Sequence, residues 1–467
     1  MYYVALGVYI LLVLGVGLFT AKRKMNIDEI NVANREVGWI RSAFSIAASW
    51  TWAPALFVAS ERAYAEGLLG FWWFFIPNVL TLVVFGFVAS GGVDRISSEH
   101  TIADIMKNAY GSERIKWVYN VILIIIAVCA GGVQLLAGGS VLAMITGFPF
   151  FYITVFLVIT AMIYSIAGGI RASITTDFLQ MGFIYGGIAL VIMFLLPSAN
   201  LQWGGIDNVT THFLSGQNWE YFLAFGLTTT VGLLSGPYGD QMYWQRVIAM
   251  DPKTVKKSFV LSAFLFAGIP LGISLLGFSS AGAGFVPESQ QMVGLEYVIA
   301  VAPPVVVAVF IIALMSGLSS TLDSAMCASG AVFSSFSDKT KNVFSVRVGM
   351  VVVSVMAVVL ANIPNMTIFW LFLAYGVMRS SVTIPTITTM LTKKVPSEGA
   401  IFWGIIAGLV IGWPTYLYGA LNGIGSYSLL GTLLAILLPA VFILYDRINT
   451  GKKQRMRGAK NEDTTQS

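Results

Sequence analysis

The 467-residue chain is poor in charged residues, which make up only 10% of it, whereas 57% of its residues are hydrophobic. Soluble domains carry roughly 25% charged residues, so this composition excludes an ordinary soluble protein. The apolar runs are about twenty residues long, which is the length of a helix that crosses a bilayer, and they lack the alternation of barrel strands. The composition therefore predicts an all-α polytopic membrane protein.

Cysteine and histidine are also scarce, with two residues of each. Cys129 and Cys327 lie inside apolar runs and do not support a disulfide framework, while His100 and His212 lie in connecting loops. We therefore expect no histidine metal cluster, no catalytic nucleophile–base set and no enzyme. The chain has no Walker motif, no dinucleotide-type glycine loop and no large soluble domain, so we expect neither ATP hydrolysis, nor an organic cofactor, nor nucleic-acid binding.

The apolar runs predict about thirteen transmembrane helices. They cover residues 2–20, 38–66, 70–91, 117–146, 148–169, 176–198, 220–245, 257–283, 297–334, 343–362, 365–392, 399–420 and 426–446. The first run is followed by Lys22, Arg23 and Lys24, whereas a cleaved signal peptide has its charges before the run. We therefore expect this run to be a retained span whose N-terminus lies outside.

The 27 basic residues test this orientation, because cytoplasmic loops carry the excess of Lys and Arg. Nearly all of them fall in connections that would be cytoplasmic, including the segment GKKQRMRGAK after Arg447. Arg62 and Arg379 lie away from the inner side, and Arg41 lies near the inner end of a span. The distribution predicts a multi-pass protein of the cytoplasmic membrane with a cytoplasmic C-terminus.

Two spans are interrupted by residues that break helices. Pro54 interrupts SIAASWTWAPALF (45–57), because proline lacks a backbone donor and disfavours helix at the preceding residue. The segment SGPYG (235–239) interrupts the seventh span. Both spans begin a block of five, and paired interruptions of this kind indicate a secondary transporter built on inverted repeats. Simple kinks are the alternative, since Pro and Gly are common in membrane helices.

This pattern divides the chain into six regions. They are an N-terminal extra helix and cytoplasmic loop (1–37), a first five-helix repeat (38–198), an external loop (199–219), a second five-helix repeat (220–392), two C-terminal helices (393–450) and a cytoplasmic tail (451–467). The tail is polar, which predicts disorder.

The ninth span contains an unusually polar segment, ALMSGLSSTLDSAMCASG (313–330). Ser316, Ser320 and Ser324 recur every four residues and share one helix face, with Asp323 and Cys327 beside it. Hydroxyls and a carboxylate supply oxygen ligands for a hard, small cation, and a charge at membrane depth usually marks an ion path or a proton relay. For any single hydroxyl, a bond back to its own helix or close helix packing is the alternative.

Four motifs resemble the solute:sodium symporter family over about residues 2–446. They are YSIAGGIRASITTDFLQ (164–180), ASWTWAP (48–54), DQMYWQR (240–246) and SSTLDS (319–324). The resemblance implies a LeuT-like core of two inverted five-helix repeats, with Na+ as the co-transported ion. WTWAP and DQMYWQR are most similar to the branch that carries urea and related small amides or amines. Trp50 departs from relatives that have an acidic residue there, and Arg379 departs from a small or apolar position.

The resemblance also implies a sodium site between the first break and the ninth span. Its ligands would be the carbonyl oxygens of Ala48, Thr51 and Gly317 and the hydroxyls of Ser320 and Thr321. In some members of the family, the aspartate after the GG motif helps to form a second cation site. Here that second site, which could equally be a proton site, would combine Asp177, Ser320, Asp323 and Ser324.

The substrate of such a transporter binds near the midplane between the two breaks. Aromatic walls with one polar end suit a small polar solute, although Trp50 and Trp52 could equally anchor or pack helices. Arg379 either pairs with an acid such as Asp240 or Asp323 or holds a carboxylate of the substrate, and pairing is favoured because buried charges are usually compensated. Glu61 and Arg62 are expected to pair at the outer surface. The candidate substrate residues are Trp50, Trp52, Gln134, Tyr238, Asp240, Tyr243, Tyr375 and Arg379.

The sequence thus predicts a sodium-coupled symporter that imports a small polar solute, such as urea or a related amide or amine, by alternating access. Its partners would be the solute, sodium and the lipid bilayer, and a monomer would suffice. A proton-coupled carrier of the same fold, with Asp177 and Asp323 carrying the proton, is one alternative. A symporter for an amino acid or carboxylate is another, while paired breaks and clustered polar ligands argue against a passive channel.

Overall fold

The computed structural model describes residues 2–21, 25–96, 99–206 and 221–465, with side chains described up to residue 450. Lys22, Arg23, Lys24 and His212 lie outside the described residues, as does the external loop from residue 207 onward.

The described residues form eighteen α-helices joined by short turns, and they contain no sheet. The helices are α1 (Tyr2–Phe19), α2 (Ile27–Val32), α3 (Trp39–Trp50), α4 (Ala53–Gly91), α5 (Val93–Ile96), α6 (Ile102–Tyr110), α7 (Glu113–Thr146), α8 (Phe150–Leu195), α9 (Thr228–Ser235), α10 (Gln241–Ala249), α11 (Val255–Gly282), α12 (Val293–Val301), α13 (Pro304–Ser335), α14 (Val343–Ala361), α15 (Ile368–Leu391), α16 (Glu398–Ala407), α17 (Trp413–Leu421) and α18 (Gly425–Thr465). A π-helical turn, Phe222–Leu227, precedes α9, and another, Gly408–Gly412, joins α16 to α17.

Ten helical segments of the described chain are long and apolar enough to cross a membrane. Two of them, α4 with 39 residues and α8 with 46, are about twice the length that one crossing needs. Each contains a glycine with non-helical backbone angles, Gly67 (φ 61°, ψ −140°) and Gly169 (φ 57°, ψ −149°). A Cβ built on Gly70 would lie 2.6 Å from the carbonyl oxygen of Arg62, although residues eight apart in a straight helix are about 12 Å apart.

The chain of α4 therefore folds back at Gly67, and α8 has the same type of bend at Gly169, so each of these helices consists of two segments. Together with the discontinuous seventh segment, this arrangement is compatible with thirteen crossings, and that number stays a prediction. The last helix, α18, continues to Thr465, whereas the sequence predicts disorder for the tail from residue 451. Lys, Gln, Arg, Met and Ala dominate this part of the chain and are good helix formers, which accounts for the difference.

Both predicted helix breaks are confirmed. The first separates α3 from α4 at Thr51 and Trp52, which have non-helical backbone angles. Pro54 lies in the first turn of α4, where a missing N–H removes no helical hydrogen bond. The second break is the 3-10 turn Gly236–Gly239 followed by extended Asp240, whose side chain accepts a hydrogen bond from the Met242 N–H (3.0 Å) and so caps α10.

Helix α13 lies at the centre of the molecule and is buried along most of its length. It packs against α7, α8 and α14, and its polar face meets α3 and α10 at the two breaks. Helix α11 lies along α4, and α15 packs against α9 and α18. This packing brings the polar segment of α13 and both breaks together in the interior.

Candidate ion and solute site

The two helix breaks lie against each other. A Cβ built on Gly236 would lie 2.9 Å from Cη2 of Trp50, so the second break presses on the residue that ends α3. The hydroxyl of Tyr243, on α10, donates a hydrogen bond to the carbonyl oxygen of Ser49 (3.2 Å). Unwound backbone of two broken helices is thus adjacent in the interior, which is where transporters of this architecture bind ions and solutes.

The first break also approaches α13 closely. A Cβ built on Gly317 would lie 2.8 Å from the carbonyl oxygen of Thr51, so only glycine allows this approach. The Thr321 hydroxyl donates to the carbonyl oxygen of Ser49 (3.2 Å) and to that of Gly317 (3.2 Å). The carbonyl oxygen of Ala48 accepts the N–H of Thr51 (3.0 Å). Three of the five predicted sodium ligands, Thr51, Gly317 and Thr321, therefore lie at one junction between α3 and α13, and Ala48 lies three residues before Thr51 on α3.

Ser320, the fifth predicted ligand, points to a different partner. Its hydroxyl donates to Oδ1 of Asp177 (2.5 Å), while the Ser45 hydroxyl donates to Oδ2 of the same carboxylate (2.5 Å). In this conformation Ser320 therefore belongs to the group around Asp177. That group is the predicted second site.

A buried arginine lies in this second site. Arg246 donates through Nη2 to Oδ2 of Asp177 (3.0 Å) and to the hydroxyl of Ser324 (2.7 Å), and through Nε to the hydroxyl of Ser45 (2.8 Å). The side chains of Arg246 and Asp177 are both fully buried. The guanidinium thus supplies a positive charge where the sequence predicts a bound cation.

Asp323 lies beside this group and is held by hydroxyls. Tyr164 donates to its Oδ2 (2.6 Å), Ser173 donates to its Oδ1 (2.7 Å), and Ser324 approaches Oδ1 at 3.2 Å. When both carboxylates are ionised, two acids face one guanidinium, which leaves one negative charge in a buried cluster. Such a charge is costly unless a cation or a proton compensates it.

Four of the eight predicted solute residues form an aromatic cluster, namely Trp50, Trp52, Tyr243 and Tyr375. Trp50 stacks on Trp52 with ring centroids 5.3 Å apart, and Tyr243 meets Trp50 edge-on at 5.1 Å. Tyr375 meets Trp52 edge-on at 5.9 Å. Each of these four rings is at most 3% exposed, so they pack on one another between the breaks.

Arg379 lies on this cluster and forms an ion pair with Asp240. Its guanidinium carbon lies 4.3 Å from the centre of the Tyr375 ring and 5.8 Å from that of Trp52. Of the two acids that the sequence offers as partners, Asp240 makes the contact, whereas Asp323 belongs to the group around Tyr164 and Ser173.

Gln134 and Tyr238 have other surroundings. Oε1 of Gln134 accepts the N–H of Ala53 (2.9 Å), which is the free backbone donor at the start of α4. Tyr238 packs edge-on against Phe85 (5.2 Å), away from the tryptophan stack, and its hydroxyl has no hydrogen-bond partner among the described residues.

A cavity of about 460 Å³ lies elsewhere, between α1, α7, α8 and α13. It is mainly apolar, and of the predicted solute residues only Gln134 lines it. The space between the breaks is instead filled by aromatic rings, so the structure is closed around the predicted solute position.

The ion pairs of Arg62, which the sequence places near the outer end of the second span, are covered by the chain as well. Arg62 pairs with Glu61 (2.6 Å) and Glu66 (2.7 Å), and its guanidinium lies 4.9 Å from the ring centre of Phe369 and 5.6 Å from that of Phe225. The expected surface position of Glu61 and Arg62 is corrected, because Glu61 is only 5% exposed. The return of the chain at Gly67 and the packing of α15 cover the pair.

Comparison with known proteins identifies the family. A model of the sodium:solute symporter family matches residues 31–408, which is most of the chain. The chain belongs to the sodium:solute symporter family. It is accordingly a multi-pass membrane transporter and not an enzyme.

Relatives of this symporter include the urea-proton symporter DUR3 of Oryza sativa subsp. japonica, which is 22% identical over 87% of this chain and 64% of the relative. The sodium/pantothenate symporter of Haemophilus influenzae is 23% identical over 91% of this chain and 89% of the relative. The chain thus spans just under two thirds of the length of the rice protein. These relatives are consistent with a urea-related branch.

A solved structure of a Na+-coupled sialic acid symporter, in a substrate-bound outward-open state with a novel Na+ site, resembles this symporter with a TM-score of 0.75 and 17% identity. The match covers 95% of this chain and 97% of that chain. A nucleobase-cation-symport-1 transporter, Mhp1, resembles it with a TM-score of 0.59 and 12% identity, over 90% and 95% of the two chains. The LeuT-like fold expected from the sequence is confirmed.

Sequence reasoning missed Arg246, Ser45, Ser173 and Tyr164 as members of the charged cluster. Arg246 is one of the basic residues whose positions predict the cytoplasmic side, and that pattern alone gives it no role in the site. The sequence does contain a signal for Arg246 as a site residue, since it lies only six residues after Asp240 at the second break and α10 is short. Ser173 and Tyr164 lie within the YSIAGGIRASITTDFLQ motif, yet only Asp177 of that motif was selected.

Proposed function

We propose that this protein is a sodium-coupled symporter that imports a small polar organic solute, with urea or a related amide or amine as the preferred class. The observation that carries the proposal is the junction of α3 and α13, where Thr51, Gly317 and Thr321 bring backbone and hydroxyl oxygens together. Such oxygens are the ligands that a hard cation prefers. The sodium/pantothenate and Na+-coupled sialic acid relatives support sodium as the ion.

Sodium binding would be coupled to alternating access through α3. Because the junction joins the first broken helix to α13, an ion there favours the conformation in which the two elements are together. Entry of sodium supplies about 2.3 kcal/mol per charge for each 100 mV of membrane potential, in addition to its concentration gradient. This work would suffice to accumulate a neutral solute.

Proton coupling is the second candidate. The cluster of Asp177, Asp323 and Arg246 carries one excess negative charge when both acids are ionised, and a proton would neutralise it as well as sodium would. The rice relative, named a urea-proton symporter, supports this candidate. A solute with a carboxylate, as the pantothenate relatives suggest, is a further alternative for the substrate.

The first experiment measures the melting temperature of the purified protein against sodium at constant ionic strength, with potassium or choline replacing it. A ligand that binds only the folded state raises stability as its concentration passes the dissociation constant. We expect sodium alone to stabilise the wild type and Thr321→Ala to lose the effect, because the hydroxyl of Thr321 lies at the junction. Ser329→Ala is the matched control, because this buried hydroxyl on α13 bonds to the carbonyl oxygen of Met326 (2.8 Å).

If sodium acts like choline, sodium coupling is refuted and the proton becomes the leading ion. The same measurement is then repeated against pH with Asp323→Asn and Asp177→Asn. A proton carrier would make the stability of the wild type depend on pH in a way that one of these variants removes.

A further inference from the structure

The ion pair of Arg379 and Asp240 is the charged feature of the proposed solute position. Both side chains are buried, at 2% and 4% exposure, and they come from α15 and from the residue that caps α10. Their charges cancel, so the pair presents strong hydrogen-bonding groups to the aromatic cluster without a net charge.

Three donors beside this pair have no partner among the described residues. They are Nε of Arg379, Nε1 of Trp52 and the hydroxyl of Tyr375. The guanidinium carbon of Arg379 lies 5.8 Å from the centre of the Trp52 ring and 4.3 Å from that of Tyr375, so the three donors belong to one region. Buried donors are normally satisfied, so unpartnered donors in one region are suited to a carbonyl oxygen of a ligand.

The second break fixes the position of the pair. A Cβ built on Gly239 would lie 3.1 Å from both Cα and Cβ of Arg379, and one built on Gly236 would lie 3.7 Å from its Nη1. The glycines of the break therefore let the broken helix lie directly against Arg379. A movement of this break in the transport cycle would move Asp240 and with it the guanidinium.

We propose that the Arg379–Asp240 pair selects neutral solutes that carry a carbonyl group, such as amides, and rejects carboxylates. This inference rests on the proposed function, because it takes the solute to bind between the breaks. A neutral carbonyl group accepts from the free donors and leaves the charges balanced. A carboxylate would add an uncompensated charge to a site of low dielectric constant, since Asp240 already neutralises Arg379.

The test compares acetamide with acetate, which have nearly the same shape and differ in charge. In the wild type we expect acetamide to raise the melting temperature and acetate to have no effect. Asp240→Asn keeps the shape and the cap of α10 but leaves Arg379 without its counter-ion. In this variant we expect the affinity for acetate relative to that for acetamide to rise by about tenfold or more, because the anion replaces the lost carboxylate.

A second variant removes the positive charge of the pair. Arg379→Ala leaves Asp240 unpaired and opens the space of the guanidinium side chain. We expect millimolar methylguanidinium to raise the melting temperature of this variant and not that of the wild type. This variant also keeps the proposal testable if Asp240→Asn does not fold.

The double variant Asp240→Asn with Arg379→Gln is the control, since it has neither charge and should respond to neither ion. If acetate stabilises Asp240→Asn no more than the wild type, and methylguanidinium fails to rescue Arg379→Ala, the pair is only a packing element and the inference is overturned. Acetate that binds the wild type as well as acetamide does would also overturn it. The sodium titration of the wild type is independent of these outcomes, so a failure of sodium coupling is distinguished from a failure of this inference.

Discussion

Gly317 is the residue at which close helix packing and the proposed sodium site meet. Its missing side chain lets the carbonyl oxygen of Thr51 approach α13, and a Cβ there would lie 2.8 Å from that oxygen and 2.9 Å from Cδ1 of Leu56. We expect Gly317→Ala to push the first break away from α13 and to abolish sodium-dependent stabilisation. The measurement is the shift of melting temperature between sodium and choline.

The control for Gly317→Ala is Gly182→Ala on α8, where nothing lies within 4 Å of the added Cβ. This change should leave the sodium response intact and raise stability by up to about 1 kcal/mol, because alanine is the better helix former. A Gly317→Ala protein that still responds to sodium like the wild type would show that the ion does not bind at this junction.

Among the individual residues, the sequence indicated those that carry charge or break helices and could not indicate their partners. Asp177 and Asp323 stand out in the sequence because a carboxylate inside a membrane span is costly and usually marks a functional site. Arg246 does not stand out, although its guanidinium bonds to the hydroxyl of Ser45, which is 201 positions away in the chain. Such contacts depend on how helices pack, and no local pattern records them.

At the scale of elements, Gly67 shows how one residue turns a helix into two crossings. Its backbone angles, φ 61° and ψ −140°, belong to a region that other residues essentially do not adopt. A Cβ there would also collide with the carbonyl oxygen of Trp203, which accepts the N–H of Leu68 (2.8 Å). We expect Gly67→Ala to lower the free energy of unfolding by about 3 kcal/mol or more, measured by thermal or denaturant unfolding.

Gly111 provides the control position for the Gly67→Ala test. It has the same φ of 61°, but its ψ of 29° lies in the left-handed region that other residues can enter, and nothing lies within 4 Å of an added Cβ. Gly111→Ala should therefore lower the free energy of unfolding by only about 1 kcal/mol. Equal losses for the two variants would contradict the role given to the bend at Gly67.

The sequence predicted the two breaks of the core because proline and paired glycines have a direct effect on helical backbone. It predicted boundaries near residues 67 and 169 only from the lengths of apolar runs. It could not show that each reversal takes place at a single glycine without a loop, because that geometry depends on contacts with Trp203 and with Ile30.

The connection between α13 and α14 is held by ion pairs, which make a pH-dependent contribution to the stability of the protein. Hydrogen bonds from Lys107 and Lys116 (2.7 Å each) lower the pKa of Asp338 to about 2 from its usual 3.8. A carboxyl group whose pKa is lowered by folding stabilises the protein above its unfolded pKa and loses this effect as the pH falls from about 4 to about 2. Because Asp338 is 60% exposed, solvent screening limits the effect to below about 1 kcal/mol.

We therefore expect Asp338→Asn to lower the melting temperature slightly at pH 7 and low salt. The difference from the wild type should shrink as the pH approaches 2 and when salt is raised. The control is Asp94→Asn, which changes another exposed carboxylate and should have little effect on the melting temperature. A difference that stays constant between pH 7 and pH 2 would exclude a role for the charge of Asp338.

For the whole molecule, the sequence was most informative about the membrane. Apolar runs of the right length fix where crossings lie, since a bilayer leaves backbone groups no partner but their own helix. This apolar composition also limits the prediction of sites. Nearly every buried side chain is apolar, and the sequence does not show which of several neighbouring helices a polar residue faces. The family and its fold were therefore predictable, whereas the closed packing of Trp50, Trp52 and Tyr375 was not.

Orientation is the whole-molecule prediction that remains to be tested. The asymmetry of Lys and Arg places the connection near Glu288 outside and the start of α16 inside. Glu288 is exposed, and Gly399 is exposed with nothing within 4 Å of an added Cβ, so cysteine is accommodated at both positions. A membrane-impermeant maleimide applied to intact cells should label Glu288→Cys and should label Gly399→Cys only after permeabilisation. The native cysteines Cys129 and Cys327 lie inside α7 and α13, and labelling of the wild type measures the background that they cause. The reverse pattern of labelling would overturn the predicted orientation, whereas the predicted direction of transport would stay inward, because the sodium gradient sets the direction in which a symporter moves its solute.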